Sequence, residues 1–350
     1  MAEAQLASIP QFTPVNLITG FLGSGKTTLL KRILQSPLLA GTAVLINEFG
    51  EVGLDHELLE RIDDTMVLLQ SGCLCCTIRG ELSVAIRDLH ERRERGTIPP
   101  FQRLVIESTG LADPLPILTT ITADPVLRHH YRLGLVVTTV DAVNGLSQLE
   151  RQPESLKQAV VADRLVLTKT DLASPESVAR LTASLHRLNP LAPLVSPAED
   201  GLDPAALFGN DLFDVESKSA EVQRWFDSER LALLHAGHPH HHGPNRHGSG
   251  IEAFALTFER PLDWTAFGLW LSMLLNRHGE TILRVKGILS IEGETAPVAI
   301  HGVQHLVHAP LHMMRWPGDD RRTRIVFICK GMDTGAIKRS FAAFVLKAAH

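Results

Sequence analysis

The stretch Val15-Asn-Leu-Ile-Thr19-Gly20-Phe-Leu-Gly-Ser-Gly-Lys26-Thr27-Thr28 decides how the rest of the chain is read. Val15 to Thr19 has the composition of a strand. Positions 20–27 fit G-x-x-x-x-G-K-[ST] at every fixed place, and Thr27 to Leu34 follows with a helical pattern. Strand, glycine-rich turn and helix in that order predict a phosphate cradle. The glycines let backbone N–H groups wrap the phosphates, and the helix N-terminus adds its positive end. Lys26 is then placed to reach β- and γ-phosphates, and the Thr27 hydroxyl to ligate Mg²⁺. The candidate nucleotide-binding residues of this loop are Gly20, Gly23, Ser24, Gly25, Lys26, Thr27 and Thr28.

Outward from this loop, short apolar runs recur at 42–46, 66–69, 103–106, 133–140 and 164–167. They are almost continuously apolar, as strands covered on both faces should be. Helical patterns lie between several of them, at 81–95 and at 175–188, the latter opened by the N-cap candidate Ser174. This alternation predicts an α/β domain with a mostly parallel sheet. It breaks near residue 205. Beyond a Gly-, Pro- and His-rich stretch at 235–250, the sequence predicts strands at 251–258, 282–291, 296–308 and 324–330. Helices are expected at 264–276 and 334–349. The expected organisation is a tail (1–14), a P-loop domain (15–215), a linker with the histidine tract (216–250) and a small α+β domain (251–350).

Two further motifs bear on the ligand. Thr168-Lys169-Thr170-Asp171 follows an apolar run and is similar to an N-K-x-D base-recognition motif. Asp171 can accept from both the ring N–H and the exocyclic amine of guanine, a donor pair that adenine lacks. Lys169 would lie along the base, and Ser196 is a candidate for a second base-side loop. Val105-Ile-Glu107-Ser-Thr-Gly110 ends an apolar run in an acid. Glu107 is a candidate Mg²⁺ ligand, directly or through water, and the Gly110 N–H a candidate γ-phosphate sensor. With Lys26 and Thr27, Glu107 completes the expected catalytic group.

Composition narrows the class. Across 350 residues, 44% are hydrophobic, and 34 Lys plus Arg against 39 Asp plus Glu leave a formal charge of −5. That balance predicts neither a nucleic-acid nor an anionic-membrane partner. No apolar run approaches the ~20 residues of a membrane span, and no secretory signal is seen, so a cytoplasmic location is expected. Three of the four cysteines, Cys73, Cys75 and Cys76, stand together. They are too close to staple a fold, and in a reducing compartment they read as metal-binding or redox groups. Thiolates suit Zn²⁺, Cu⁺ or Co²⁺, and three leave one tetrahedral position open. Cys329, in an apolar run, reads as a buried strand residue.

Six of the 17 histidines fall within 235–247, among them His238, His240, His241 and His242. A flexible imidazole tract binds Zn, Ni, Co or Cu without fixed geometry, so it is expected to collect metal with low specificity. His301, His305, His308 and His312 recur at three- to four-residue intervals. Glu48, Glu51 and Asp55 are candidate loop acids, Glu51 a candidate metal ligand.

Together, Gly20 to Thr28, Asn47-Glu-Phe-Gly-Glu51, Gly72-Cys-Leu-Cys-Cys76, Glu107 to Pro114 and Thr168 to Asp171 resemble the CobW family of metal-handling P-loop GTPases. The resemblance runs over nearly the whole chain and includes Gly302-Val-Gln-His305 of the trailing domain. Thr168 stands where Asn is usual, and Ile46 where some relatives carry an acid. The resemblance implies delivery of zinc or another transition metal such as cobalt, nickel or iron to a metalloprotein client. GTP/GDP and Mg²⁺ are the implied cofactors. No arginine finger is visible, so slow turnover is expected alone, with a homodimer or the client supplying one. Two alternatives stand beside this reading: a metal-buffering protein that uses nucleotide only structurally, and a P-loop small-molecule kinase.

Overall fold

The computed structural model describes residues 12–46, 67–70, 78–196, 207–208 and 250–345. The three clustered cysteines, Glu48, Glu51, Asp55 and the histidines at 235–247 lie outside the described residues.

The first domain is built on a parallel sheet of seven strands: β1 (Thr13–Gly20), β2 (Thr42–Ile46), β3 (Val67–Gln70), β4 (Arg103–Glu107), β5 (Tyr131–Asp141), β6 (Arg164–Thr168) and β7 (Leu194–Val195), in the order β3-β2-β4-β1-β5-β6-β7. The apolar runs become strands because helices cover both faces. On one side, Leu82, Ile86 and Leu89 of α2 (Ile78–Glu94) pack with Leu17, Leu104 and Ile106; on the other, Leu29, Leu30 and Ile33 of α1 (Lys26–Leu34) pack with Ile18, Val44 and Val105. The chain crosses from one half of the sheet to the other around β1. Parallel sheets bind ligands outside the carboxyl ends of their strands at such a reversal. Helices α3 (Pro114–Ala123), α4 (Leu127–His130), α5 (Gly145–Arg151), α6 (Pro153–Val161) and α7 (Pro175–Leu188) complete the described part of this domain. Ser174 caps α7 as expected, accepting from the Ser177 N–H.

The second domain carries an antiparallel sheet in the order β11-β10-β9-β13-β8, with β12 (Leu311–His312) beside β10. Its other strands are β8 (Ile251–Phe258), β9 (Ile282–Leu289), β10 (Val298–Val303), β11 (Leu306–Val307) and β13 (Thr323–Lys330). Helices α8 (Trp264–His278) and α9 (Thr334–Phe344) cover one face through Phe267, Trp270, Leu275 and Phe341. The other face meets the first domain: Val160 packs with Leu283 and Ile328, and Leu191 with Ile288, Ala299 and Val326. Hence β9 is buried at all eight positions. The strand expected over 296–308 is two strands. Gln304 takes a left-handed conformation (φ 52°) and turns the chain back, pairing Gly302 with Val307. Cys329 is buried as expected, and burial, with Glu252 nearby, pushes its thiol up to about 12.

Candidate functional site

The carboxyl ends of β1, β4, β5 and β6 meet on one edge of the parallel sheet. Register places Ile18 beside Glu107, Gly20 beside Thr139, and Asp141 beside Thr168. From that edge the phosphate loop projects. Gly20, Gly23 and Gly25 all have positive φ (143°, 70° and 87°). At Gly20 a Cβ would lie 2.3 Å from the Thr139 hydroxyl oxygen, so only glycine lets the strand turn there. Ser24 is fully buried and shares a 2.7 Å hydrogen bond with Thr139 of β5, which pins the loop from beneath. Lys26 opens α1, and its ammonium donates to the Phe21 carbonyl at 3.3 Å, reaching back across the loop. Thr28, one turn into the helix, is exposed.

At the end of β4, Glu107 is 1% exposed and accepts from the Thr27 hydroxyl at 2.6 Å. The sheet therefore brings a hydroxyl and a carboxylate, 80 residues apart in sequence, to one point at the mouth of the glycine loop. That donor set is all oxygen and suits Mg²⁺, a hard cation held by one or two carboxylates with hydroxyls, waters and phosphates. Beyond it, Ser108 donates its N–H to the Ile18 carbonyl and its hydroxyl to Thr19. Gly110 rests against the phosphate loop itself: a Cβ there would stand 2.7 Å from the Leu22 nitrogen. These residues set the acid and the glycine on either side of the loop.

The base-side motif leaves β6 at Thr168. Its hydroxyl donates to the Ser24 carbonyl at 2.8 Å and so ties this motif to the phosphate loop. Lys169 is left-handed (φ 57°), and its ammonium lies 2.8 Å from Asp141 at the end of β5. Burial alone would raise the Asp141 carboxyl. Lys169, the Asn144 amide and the N–H groups of Val143 and Asn144 outweigh that and hold it below the usual carboxylate range. Asp171 sits exposed in a short 3₁₀ turn, Thr170–Leu172. Ser196 follows β7 on the same edge, and its buried hydroxyl has no hydrogen-bond partner among the described residues.

Asp141 and Thr139 were not legible as site residues in one dimension. Asp141 ends an apolar run, with Asn144 three residues on, the pattern of a side-chain-closed turn; that is the signal that could have flagged it. The trailing-domain histidines do not form one cluster. His301 is buried and His308 half-buried, both lining a cavity of about 10 Å³ with Asp163 and Arg284 at the domain junction, whereas His305 and His312 are exposed. Among the described residues, no group of three or more His, Cys, Asp or Glu is placed to hold a metal ion. No helix among them is long and apolar enough to cross a membrane.

Nearly the whole chain is similar to known proteins. Residues 14–196 match the CobW/HypB/UreG nucleotide-binding domain, and residues 251–345 the cobalamin synthesis protein CobW C-terminal domain. The chain belongs to the CobW family. Among its relatives, the zinc chaperone YjiA of Escherichia coli (strain K12) is 33% identical over 328 residues, covering 94% of this chain and 97% of that protein. The zinc-regulated GTPase metalloprotein activator 1 of Schizosaccharomyces pombe is 30% identical, covering 79% of this chain and 72% of its own. The crystal structure of Zn(II)-bound YjiA GTPase from E. coli superposes with a TM-score of 0.70 at 30% identity, over 95% of this chain and 99% of that one. In CobW family terms, the site described above lies wholly in the nucleotide-binding domain, and the second sheet is the CobW C-terminal domain.

Proposed function

We propose that this CobW family chain is a GTP-hydrolysing metallochaperone that carries a transition metal, zinc foremost, to a metalloprotein client. The observation that carries the reading is the 2.6 Å approach of Thr27 to Glu107 at the mouth of the left-handed glycine loop. In this reading Gly20, Gly23, Ser24, Gly25, Lys26, Thr27 and Thr28 hold the phosphates, and Thr27 and Glu107 hold Mg²⁺. Bound there, Mg²⁺ neutralises charge developing on the phosphates. Lys26 supplies a second fixed positive charge, and the glycine-freed N–H groups orient the γ-phosphate for attack by water. Gly110 senses that phosphate. Asp171 reads guanine, Lys169 is aligned along the base by Asp141, and Ser196, on the same edge, belongs to a second base-side loop.

Cys73, Cys75 and Cys76 are the proposed cargo ligands, because three thiolates leave a fourth position free for transfer. Glu51 is the further candidate, and the tract with His238, His240, His241 and His242 gathers metal at low affinity. A homodimer or the client supplies the missing arginine, and the protein acts in the cytoplasm. The names of the relatives, a zinc chaperone and a zinc-regulated GTPase metalloprotein activator, favour zinc over the other metals.

Lys26→Ala tests the core of this reading. It removes the charge that meets the β- and γ-phosphates, so GTP hydrolysis should be lost while the melting temperature stays near that of the parent chain. Near-normal turnover in the purified variant overturns the reading.

A further inference from the structure

Helix α6 is tied at two levels. On one side, Gln158, with no exposed surface, donates its side-chain amide to the carbonyls of Gly110 (3.1 Å) and Ala112 (3.0 Å). Its amide oxygen is buried without a hydrogen-bond partner among the described residues. One residue earlier, Lys157 bonds Asp113 at 2.8 Å, and Asp113 caps α3. Two neighbouring side chains of α6 thus hold the whole 110–113 loop. That loop follows Glu107, and its Gly110 touches the phosphate loop at Leu22.

In the same last turn, directly after Gln158, the C-terminus of α6 is gripped by different parts of the protein. A helix leaves its last four carbonyls without intrahelical partners. Here the Asn189 amide takes those of Ala159, Val160 and Ala162, and Arg284 of β9 takes that of Val161. Arg284 also pairs with Asp163, two residues past the helix, and Lys286 lies 2.9 Å from the same carboxylate. Both cations belong to the C-terminal domain and are buried. An unbroken series of contacts therefore runs from Leu22 to Gly110, through Gln158 and the last turn of α6 to the Val161 carbonyl, and on to Arg284.

We propose that Gln158 is a positioning residue for the Gly110 loop, and that α6 transmits the nucleotide state from that loop to the C-terminal domain. The proposal rests on the reading of Gly110 as the γ-phosphate sensor. One buried amide holds the Gly110 and Ala112 carbonyls together, so a Gly110 backbone that reorients toward a γ-phosphate must either break its bond to Gln158 or carry the helix with it. The unpaired Gln158 oxygen removes the cost-free alternative of a flipped amide: reversed, it would face two carbonyls with an oxygen and leave its N–H₂ buried. Three residues after Gln158, Arg284 converts movement of the Val161 carbonyl into movement of β9, because the same guanidinium holds Asp163.

The test measures kcat, KM and the ratio of GDP to non-hydrolysable GTP-analogue dissociation constants with fluorescent nucleotides, in the full chain. Lys157→Ala is a half-exposed change that leaves the core intact; Gln158→Met keeps the side-chain volume; Arg284→Met lies in the other domain. Each should change the GDP/GTP-analogue ratio by about three- to tenfold. Gln158→Met should also lower kcat by about tenfold with KM for GTP within about twofold, as expected when positioning rather than binding is lost. The Gln158→Met/Arg284→Met double variant should shift the ratio no further than the larger single change. A wild-type ratio in folded Lys157→Ala and Arg284→Met, or additive shifts in the double variant, overturns the proposal. A parent chain that binds neither nucleotide overturns the nucleotide reading itself, which these variants do not address.

Discussion

The Thr168 hydroxyl donates to the Ser24 carbonyl at 2.8 Å, joining the base-side motif to the phosphate loop across 144 residues of sequence. A larger amide usually occupies this position in the motif that Thr168 resembles, yet the hydroxyl is long enough to make a cross-link. Thr168→Val keeps the shape and removes the donor. A neutral hydrogen bond contributes about 1 kcal/mol, so GTP and GDP affinity should both fall by about five- to tenfold with their ratio unchanged. Titration with a fluorescent analogue of each nucleotide checks this; a loss confined to one of them would mean that Thr168 acts through the γ-phosphate side instead.

Base choice is expected to rest on Asp171. Asp171→Asn replaces an acceptor by a donor, so it should weaken GTP binding by at least about tenfold and admit xanthosine triphosphate, whose 2-oxo group needs a donor. Competition between GTP, ATP and xanthosine triphosphate measures it. Equal ATP and GTP affinity in the parent chain would remove the assignment.

Asp163 should set the acid limit of stability. Burial would raise its carboxyl, but Arg284, Lys286 and the Val136 N–H hold it far below the usual carboxylate range. A carboxyl depressed in the folded state contributes stability above its unfolded value, about 3.9, and that contribution is lost as pH falls below it. Asp163→Asn should therefore cost about 3–5 kcal/mol at neutral pH, because it leaves buried cations without their counter-charge. It should also flatten the decline in stability between about pH 4 and 2. Asp124 is likewise depressed, by Arg87, Ser83 and the N–H groups of Val126 and Leu127 against the pull of burial, so part of the slope should persist. Urea unfolding across pH gives both numbers; an unchanged slope would place the acid sensitivity elsewhere.

The thiols and the histidine tract should separate by affinity. Deleting residues 236–247 should lower the number of weakly held ions and keep one tight site, whereas Cys75→Ser should abolish that site. If metal and nucleotide are linked, Zn²⁺ affinity should differ between the GTP-analogue and GDP states by a factor of about 5–150, tighter with the analogue. Chelator competition in both states measures the factor, and Co²⁺ substitution adds a thiolate charge-transfer band. Equal affinities with no effect of Cys75→Ser would leave a GTPase without a coupled thiol site.

Much of this protein is written locally. Gly20 to Thr27 determines a strand, a left-handed loop and a helix, because glycine spacing and helix N-terminal chemistry act within a few residues. The apolar runs 42–46, 103–106 and 164–167 became strands at nearly those bounds, since continuous burial on two faces leaves a continuous apolar signature. The end of an apolar run marked Glu107 for the same reason. Resemblance carried the family, and the matches over 14–196 and 251–345 agree with it.

What only the tertiary structure decided is which distant residues meet. Nothing near Lys169 in sequence selects Asp141 as its partner; strand order does, by laying β5 beside β6. Nothing in the run Ile282 to Leu289 shows that Arg284 and Lys286 are buried, since a strand alternating charged and apolar residues reads as half-exposed. Those charges are inside because the first domain covers that face and offers Asp163 and the Val161 carbonyl. The Gln304 turn within 296–308 was hidden similarly, because a left-handed non-glycine residue leaves no compositional mark. Burial pattern and turn chemistry act between neighbours and can be read along the chain. Charge pairing between distant residues, and capping from a distant element such as that of the Val161 carbonyl by Arg284, act through space, and their partners exist only once the sheets have been assembled.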